Sequence, residues 1–474
     1  MLFNSLHFLI FFPIVLVLYF FLPHRYRWVL LLIASYYFYI SWNPWYISLI
    51  IASTLIDYFA SLKMEGLSTK RERTPFLILS LISNLGILLF FKYSNFFIGN
   101  YNHLTGANVA YLKFLLPVGI SFYTFQTLSY TIDVYQEVLK PEKNIGKFAL
   151  FVSFFPQLVA GPIERATNLL PQFREKVKLN YENFSEGGKR IIWGLFKKVV
   201  IADNIGQIAD IIYASPGDYN SVGLLLGTYL FTFQIYCDFS GYSDIAIGVA
   251  KMMGFNLMEN FRIPYISKSI REFWGRWHIS LSSWFRDYVY IPLGGNRKGK
   301  FNWYRNLVIV FLVSGFWHGA NWTFVIWGAL HGLYLVLGIQ INKWDFYTQK
   351  IINRNRIVNF IISLFIFHLV VLGWIFFRAE NVGDAFLVVK EILSVNLDIN
   401  PLLGLMREFG KGKLIFIMLL LITFIISDKY IFRLIQGDYK NLGHHIKINL
   451  FGFILALIVL FGFWGEVAFI YFQF

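Results

Sequence analysis

Long apolar segments separated by short polar loops recur from one end of the chain to the other. A helix needs about 20 apolar residues to cross the ~30 Å hydrocarbon layer of a bilayer, and many of these segments approach that length. Because helices satisfy their own backbone hydrogen bonds in lipid, the pattern predicts an all-α polytopic membrane protein. We predict about eleven or twelve spanning helices, near residues 6–23, 28–42, 45–62, 75–98, 114–133, 191–213, 221–250, 306–317, 322–339, 358–377, 414–427 and 448–471.

The apolar segment 148–173 departs from this pattern. It carries three prolines and ends among charged residues. Irregular backbone at membrane depth must be covered by protein. We therefore predict a re-entrant or interfacial segment here, and not a full span.

Composition supports a membrane protein that forms a single domain over residues 1–474. Of the 474 residues, 57% are hydrophobic, 20% are aromatic and 15% are charged, whereas soluble chains carry about 25% charged residues. The single cysteine, Cys237, excludes an internal disulfide and a CxxC metal or redox motif.

The net charge of +15 follows the predicted loops, which favours membrane orientation over nucleic-acid binding. Nine lysines and arginines fall in the loops after the first, third and fifth spans, and the loops after the second and fourth spans have none. Basic loops stay in the cytoplasm, so we predict that the N-terminus lies outside it. Six basic residues mark a further cytoplasmic stretch, namely Lys176, Lys178, Lys189, Arg190, Lys197 and Lys198. Segment 251–305 is predicted to be cytoplasmic for the same reason.

His318 lies at the end of an apolar segment that is short for a spanning helix. From Asn306 to Trp317 there are twelve residues, or ~18 Å of helix. The following Gly319 and Asn321 suit a helix end or turn. This spacing predicts a helix that breaks inside the membrane, with His318 lining a protein-covered cavity where chemistry can occur.

Two further histidines lie near His318 in the sequence. His278 falls in WGRWHISLSSWFRDY, where Arg286 and Asp287 stand among aromatic residues, a pattern typical of an interfacial helix at the cytoplasmic face. His331 falls thirteen residues after His318, on another helix face. We predict a packing role for His331, and likewise for His368.

Other reactive signatures are missing from the sequence. It contains no GxSxG, P-loop, GxGxxG or HExxH motif. Histidines on facing membrane helices can also ligate a b-type haem, but nothing in the sequence establishes the spacing that haem requires. The intramembrane acids Asp57 and Asp244 are predicted to be paired inside the helix bundle.

Several blocks resemble the membrane-bound O-acyltransferase family, in the branch that contains the membrane subunit of alginate O-acetylation. They span most of the chain, and they are LPVGISFYTFQTLSYTIDVY (116–135), FFPQLVAGPIER (154–165), QIYCDFSGYSDIAIGVAKMMGF (234–255), NFRIPY (260–265), FWGRWHISLSSWFRDYVYIPLGGNR (273–297), SGFWHGANWTFVIWGALHG (314–332) and the terminal FIYFQF (469–474).

The resemblance implies a helical protein around a central tunnel, in which the histidine of a WHG motif is the essential residue. That position is His318, and the WHISLS histidine of the family corresponds to His278. We assign both as catalytic, and we assign Asn321, Arg286 and Asp287 to substrate binding, with Asn321 as a candidate donor to the developing oxyanion. No metal is expected.

The resemblance also implies a multi-pass protein of the bacterial plasma membrane that O-acetylates an exported or cell-surface polysaccharide. Alginate, capsular polymers and peptidoglycan all stay open as acceptors. The expected acyl donor is cytoplasmic acetyl-CoA, with no bound cofactor. An extracytoplasmic transferase is the expected partner protein, because the loops of this chain are too short for a separate catalytic fold.

Two alternatives stay open. A D-alanyl transfer subunit for teichoic acid belongs to the same superfamily and would dock a carrier protein with a phosphopantetheine arm. A transporter or flippase would use its histidines to bind protons or substrate without covalent chemistry, although no internal repeat supports it.

Overall fold

The computed structural model describes residues 1–343, 355–438, 443–465 and 469–470, and the regular structure in these ranges is helical. The α-helices are α1 Leu6–Phe21, α2 His24–Ile40, α3 Ile47–Glu65, α4 Lys70–Thr105, α5 Ile120–Tyr135, α6 Ile145–Ser153, α7 Ala166–Gln172, α8 Tyr181–Leu195, α9 Asp203–Ala214, α10 Ser221–Met252, α11 Ile270–Trp274, α12 Ile279–Phe285, α13 Lys300–His318, α14 Trp322–Lys343, α15 Arg356–Arg378, α16 Val382–Leu393, α17 Asn400–Phe409, α18 Lys411–Ile435 and α19 His444–Phe461. The prediction of an all-helical membrane protein is confirmed.

Six helical stretches within the described residues are long and apolar enough to cross a membrane. They match predicted spans, and they are Pro44–Glu65, Lys70–Thr105, Ser221–Met252, Trp322–Ile341, Arg356–Arg378 and Lys411–Ile435. Two shorter apolar helices, Leu6–Phe21 and His445–Phe461, match the first and last predicted spans. The larger predicted number of spans stays a prediction.

Two predicted boundaries were wrong. The helix predicted over 114–133 begins only at Ile120, after Gly119 adopts a left-handed φ of 75°. The helix predicted to start at Asn306 starts at Lys300 and has nineteen residues, or ~28 Å of length. Hydropathy placed this start too late because the first turn of α13 is polar. The helix that ends at His318 is therefore not short.

Segment 148–173 is not a continuous helix, as predicted. The end of α6, an irregular stretch and α7 occupy it, and the irregular residues 154–163 are buried. The Gln126 side chain donates a hydrogen bond of 2.5 Å to the carbonyl of Phe151, and Gln157 donates one of 3.1 Å to the same oxygen. These bonds satisfy a backbone group at the point where the helix stops.

The chain divides into two compact units. The first comprises residues 1–192 and 242–259. Its interior holds polar networks, because Asp57 accepts hydrogen bonds from Ser80, Asn84 and Thr131. Arg190 donates to Asp244 over 2.9 Å and also binds Glu259. The predicted pairing inside the bundle is confirmed for Asp244 with Arg190, while Asp57 is held by hydrogen bonds from neutral side chains.

The second unit takes in residues 193–241 and those from 260 onward. A π-helical segment, Phe196–Ala202, leads into α9 in this unit. Lys198 in this segment is buried, and its Nζ lies 2.8 Å from both Asp203 and Asp238. Lys197 is also buried and donates to Ser240.

Three of the basic residues used to predict a cytoplasmic stretch are therefore not loop charges. Arg190, Lys197 and Lys198 are each less than 10% exposed. Each of these groups is ion-paired or hydrogen-bonded within the fold, so it gives no information about the orientation of the protein in the membrane. Hydropathy alone cannot distinguish a paired, buried lysine from a solvated one.

Candidate active site

His318 is the last residue of α13, and the predicted helix end after it is confirmed, whereas its position inside the membrane stays a prediction. Gly319 follows with extended backbone, and α14 begins at Trp322. A Cβ added at Gly319 would lie 2.0 Å from the Phe324 ring, so only glycine fits this turn. The turn leaves His318 only 3% exposed. The histidine is thus held inside the protein by the tight reversal that follows it.

Close helix packing supports the turn. The backbones of α13 and α14 touch at two glycines: a Cβ at Gly315 would lie 2.3 Å from the carbonyl oxygen of Phe324, and one at Gly328 would lie 2.3 Å from that of Phe311. Small residues of this kind let membrane helices approach closely. The packing fixes the axis of the helix that carries His318.

His278 stands immediately before α12 in a left-handed conformation, with φ of 42°. Such backbone is costly for a residue with a Cβ and persists where the surroundings impose it. Here Asn260 imposes it, because its carbonyl accepts the Ile279 N–H at 3.0 Å and its side chain accepts the Ser280 hydroxyl at 2.7 Å. The His278 side chain is fully buried, not on the exposed face of an interfacial helix.

Burial also governs the protonation of His278. Desolvation lowers the pKa of its imidazole from 6.5 to about 3. A neutral imidazole can accept or donate a proton at one of its nitrogens without carrying a charge into the apolar interior. His278 is thus neutral throughout the physiological pH range.

His331 lies on α14 and is completely buried. The indole N–H of Trp274 donates to its Nδ1 over 3.3 Å. Its ring packs against those of Trp274 at 5.1 Å and Trp327 at 5.0 Å between centroids. These contacts agree with the predicted packing role.

Two tryptophans connect the three histidines into what we call the histidine–tryptophan cluster: His278, Trp317, His318, Trp327 and His331. The Trp317 ring lies 6.3 Å from that of His278 and 4.8 Å from that of His318. The Trp327 ring lies 4.9 Å from that of His318 and 5.0 Å from that of His331. Histidines up to 53 residues apart thus form one buried aromatic cluster.

A cavity of about 750 Å³ opens beside the cluster. Its walls include Ile279, next to His278, and Ser314, one turn before His318, but none of the three histidines is among its lining residues. The expectation that His318 lines a cavity is therefore not met by this one. Trp274, the hydrogen-bond donor to His331, also lines it. Polar groups on the wall are Arg271, Ser282, Ser283, Arg286 and Asn296. The cavity combines apolar walls with a few cations and hydroxyls, as ligand pockets commonly do.

The three residues predicted to bind substrate occupy different environments. Arg286 lines the cavity, and its Nε lies 2.8 Å from Asp287, which pairs with it. The amide of Asn321 donates to the Glu380 carbonyl at 2.7 Å, and its oxygen accepts the Thr323 N–H at 3.1 Å. Asn321 therefore holds the turn after His318, and its role as an oxyanion donor, which stays a prediction, would use the second N–H of its amide.

Sequence reasoning missed the aromatic partners and Arg271. Trp274 and Trp327 lie in the segment that carries the histidines, but tryptophan is common in this chain and gave no separate signal, whereas Trp317, which flanks His318, supports a functional role for that histidine. Arg271 falls in segment 251–305, whose basic residues predict only a cytoplasmic location, whereas the structure places it in the cavity wall. In the parts of the chain that the structure describes, no group of three or more His, Cys, Asp or Glu is arranged to hold a metal ion.

Comparisons with known proteins identify the family of this chain. The membrane-bound O-acyltransferase family model matches residues 77–377, which include His278, His318 and His331. An alginate O-acetylase, AlgI of Pseudomonas putida, is 46% identical over 81% of this chain and 79% of its own length. A peptidoglycan O-acetyltransferase of Helicobacter pylori is 38% identical over 77% of this chain and 73% of its own.

A more distant relative is the teichoic acid D-alanyltransferase of Streptococcus thermophilus, which is 33% identical over 50% of this chain and 60% of its own length. The family match covers more than half of the sequence, and the predicted resemblance is confirmed. The chain belongs to the membrane-bound O-acyltransferase family and is a membrane O-acyltransferase.

Proposed function

We propose that this protein transfers an acetyl group from a cytoplasmic thioester, acetyl-CoA, for the O-acetylation of an exported or cell-surface polysaccharide. The observation that carries the proposal is the burial of His318 one helical turn from Ser314, which lines a cavity whose polar wall includes Arg271 and Arg286. Two guanidinium groups suit the phosphates of a coenzyme A donor. The acetylating relatives match about four fifths of this chain, which favours acetyl as the group transferred.

In this reaction His318 acts as the general base. Its imidazole takes the proton from an acceptor hydroxyl as the hydroxyl oxygen attacks the thioester carbonyl. A new C–O ester bond forms, the C–S bond breaks, and the proton passes to the departing thiolate. No other co-reactant is required.

His278 supports the same step from the other side of Trp317. Its neutral ring polarises the thioester carbonyl through an N–H, and Asn321 or a backbone N–H stabilises the oxyanion. Arg286, with its partner Asp287, binds the donor at the cavity wall. Together with His318, these are the residues that we assign to catalysis and substrate binding.

We also propose a location, an orientation and a partner for the protein. The protein is a multi-pass protein of the bacterial plasma membrane with its N-terminus outside the cytoplasm, and it forms one functional domain over residues 1–474. An extracytoplasmic transferase completes delivery to the polysaccharide. D-alanyl transfer is the second candidate, because the teichoic acid relative matches half of the chain.

Acyl transfer by the purified protein in nanodiscs tests the proposal, with radiolabelled acetyl-CoA and polysaccharide acceptors. We expect His318→Ala to lower transfer at least a hundredfold, while His103→Ala, an exposed histidine at the end of α4, leaves it unchanged. Equal transfer by the two variants would refute the role of His318. Transfer only from a D-alanyl carrier protein would instead establish the second candidate.

A further inference from the structure

A basic cleft in the second unit has none of the histidine–tryptophan cluster among its lining residues, although it shares Gly275 with the cavity beside that cluster. It has a volume of about 570 Å³, and its walls include four cations and two acids: Arg262, Arg276, Lys429, Arg433, Glu272 and Asp438. Arg276 pairs with Glu272 at 2.7 Å and Arg433 lies 3.9 Å from Asp438. Within the described residues Arg262 and Lys429 have no acidic partner, so the cleft keeps a net positive charge.

An apolar groove of about 480 Å³ adjoins the cleft. The two share Ile263 and Ile266 as lining residues. Six of its fifteen lining residues are aromatic, namely Phe233, Tyr236, Tyr265, Phe360, Phe367 and Phe424, and the cations Lys268 and Arg356 also line it. The one acid among its lining residues, Asp428, accepts a hydrogen bond of 2.7 Å from Tyr236.

The positions of these residues along two candidate membrane-spanning helices indicate which part of the site lies deeper in the membrane. Asn359, Phe360 and Ser363 of the groove lie in the first two turns of α15, and Phe424 and Ile425 lie near the end of α18. Lys429 and Arg433 of the cleft follow in the last turns of α18. The cations therefore lie at a membrane boundary, and the apolar groove continues from them along the spans.

The exposed side chains of the cleft and the groove suit a ligand that is charged at one end and apolar at the other. Arg262 and Lys429 are exposed at the cleft. At the groove Phe360 is 67% exposed and Ile425 is 48% exposed. Lysine and arginine near the surface attract anionic lipid with about 1 kcal/mol each, and each buried methylene of an acyl chain contributes about 0.8 kcal/mol.

We propose that the cleft and groove together bind one anionic phospholipid. The headgroup phosphate contacts Arg262 and Lys429, and one acyl chain lies in the groove between α15 and α18. The basic-loop pattern predicts that both helix ends lie at the cytoplasmic leaflet, where anionic lipids produce a negative surface potential. The lipid proposal does not rest on the acyl-transfer proposal, because none of the three histidines lines the cleft or the groove, although Gly275 lines both the cleft and the proposed donor cavity.

Native mass spectrometry of the full-length protein in neutral detergent tests the proposal. Dioleoyl phosphatidylglycerol and dioleoyl phosphatidylcholine are titrated separately, and we expect the first to bind about tenfold more tightly. The double variant Arg262→Gln/Lys429→Gln should remove this preference. The matched control Lys411→Gln/Lys413→Gln, at the other end of α18, should keep it.

Two further experiments, a groove-filling variant and a competition with a headgroup analogue, identify which part of the lipid is recognised. Ser363→Trp fills the groove and should weaken the binding of phosphatidylglycerol at least fivefold, without changing the elution volume of the protein. Glycerol 3-phosphate should not displace the lipid at equal concentration. Equal binding of both lipids by the wild-type protein would overturn the proposal, and so would displacement by glycerol 3-phosphate alone, which would indicate a simple anion site.

Discussion

The indole N–H of Trp274 donates a hydrogen bond to Nδ1 of His331, with 3.3 Å between the two nitrogens. Trp274 lines the cavity, while His331 lies fully buried behind it. The bond therefore ties the cavity wall to the histidine–tryptophan cluster. His331 does not line the cavity itself but packs behind Trp274 and Phe311, which do, and this makes it a positioning residue.

Replacing Trp274 by phenylalanine should destabilise the protein by about 1–3 kcal/mol, because the buried Nδ1 of His331 loses its donor. Thermal unfolding in detergent measures this effect. The double variant Trp274→Phe/His331→Phe should lose less stability than the sum of the single variants, since both changes remove the same bond. Additive losses would contradict the coupling. Trp303→Phe, elsewhere on the cavity wall, is the matched control.

Gly319→Ala should lower acetyl transfer at least tenfold. The added Cβ would lie 2.0 Å from a ring carbon of Phe324, so the turn after His318 must move, and small displacements of a catalytic group are costly. Gly338→Ala in α14 is the control, because nothing lies within 4 Å of its added Cβ. Initial rates in nanodiscs measure both, and an unchanged rate in Gly319→Ala would show that the turn does not position His318.

The depressed pKa of His278, about 3 against an ordinary 6.5, predicts a pH-dependent stability. Below pH 6.5 the His278 imidazole binds a proton in the unfolded chain but stays unprotonated in the folded protein. The contribution of a neutral His278 is therefore fully present above pH 6.5 and is lost as the pH falls towards 3. Relative to the non-titrating His278→Gln variant, the wild type should lose about 2 kcal/mol between pH 7.5 and pH 5.

Chemical denaturation at the two pH values measures this difference, and the other histidines cancel because both proteins share them. A stability difference that is independent of pH would mean that His278 is charged or solvated in the folded protein. The same argument predicts that no step in the pH profile of acetyl transfer between pH 6 and 8 arises from His278.

Lys198→Met should destabilise the protein by about 3–5 kcal/mol, because it leaves Asp203 and Asp238 buried together without their cation. Lys413→Met, at an exposed position of α18, should have little effect. Asp238 also accepts the backbone N–H of Ile470 at 2.8 Å. Limited proteolysis should consequently release the end of the chain more readily in Lys198→Met, and equal cleavage in both variants would argue against this anchor.

Local pattern was sufficient for much of this protein. Runs of apolar residues specify spanning helices because each helix satisfies its own backbone, whatever its neighbours are. The glycine and asparagine after His318 specify a helix end because their preferences are those of single residues. For these reasons the helical membrane fold, the interruption in 148–173 and the break at His318 were predictable, and motif resemblance added the family and the two candidate catalytic histidines.

Side-chain partners depended on the tertiary structure. Trp317 and Trp327 bring together histidines that are distant in sequence, and hydropathy assigns no partner to a tryptophan. The sequence suggests that Lys198 is a solvated loop charge. The structure pairs it with Asp238, which is forty residues away in the chain. Burial and charge pairing are sums over contacts from several helices, so they arise only when those helices pack, and the cavity next to His278 and His318 arises for the same reason.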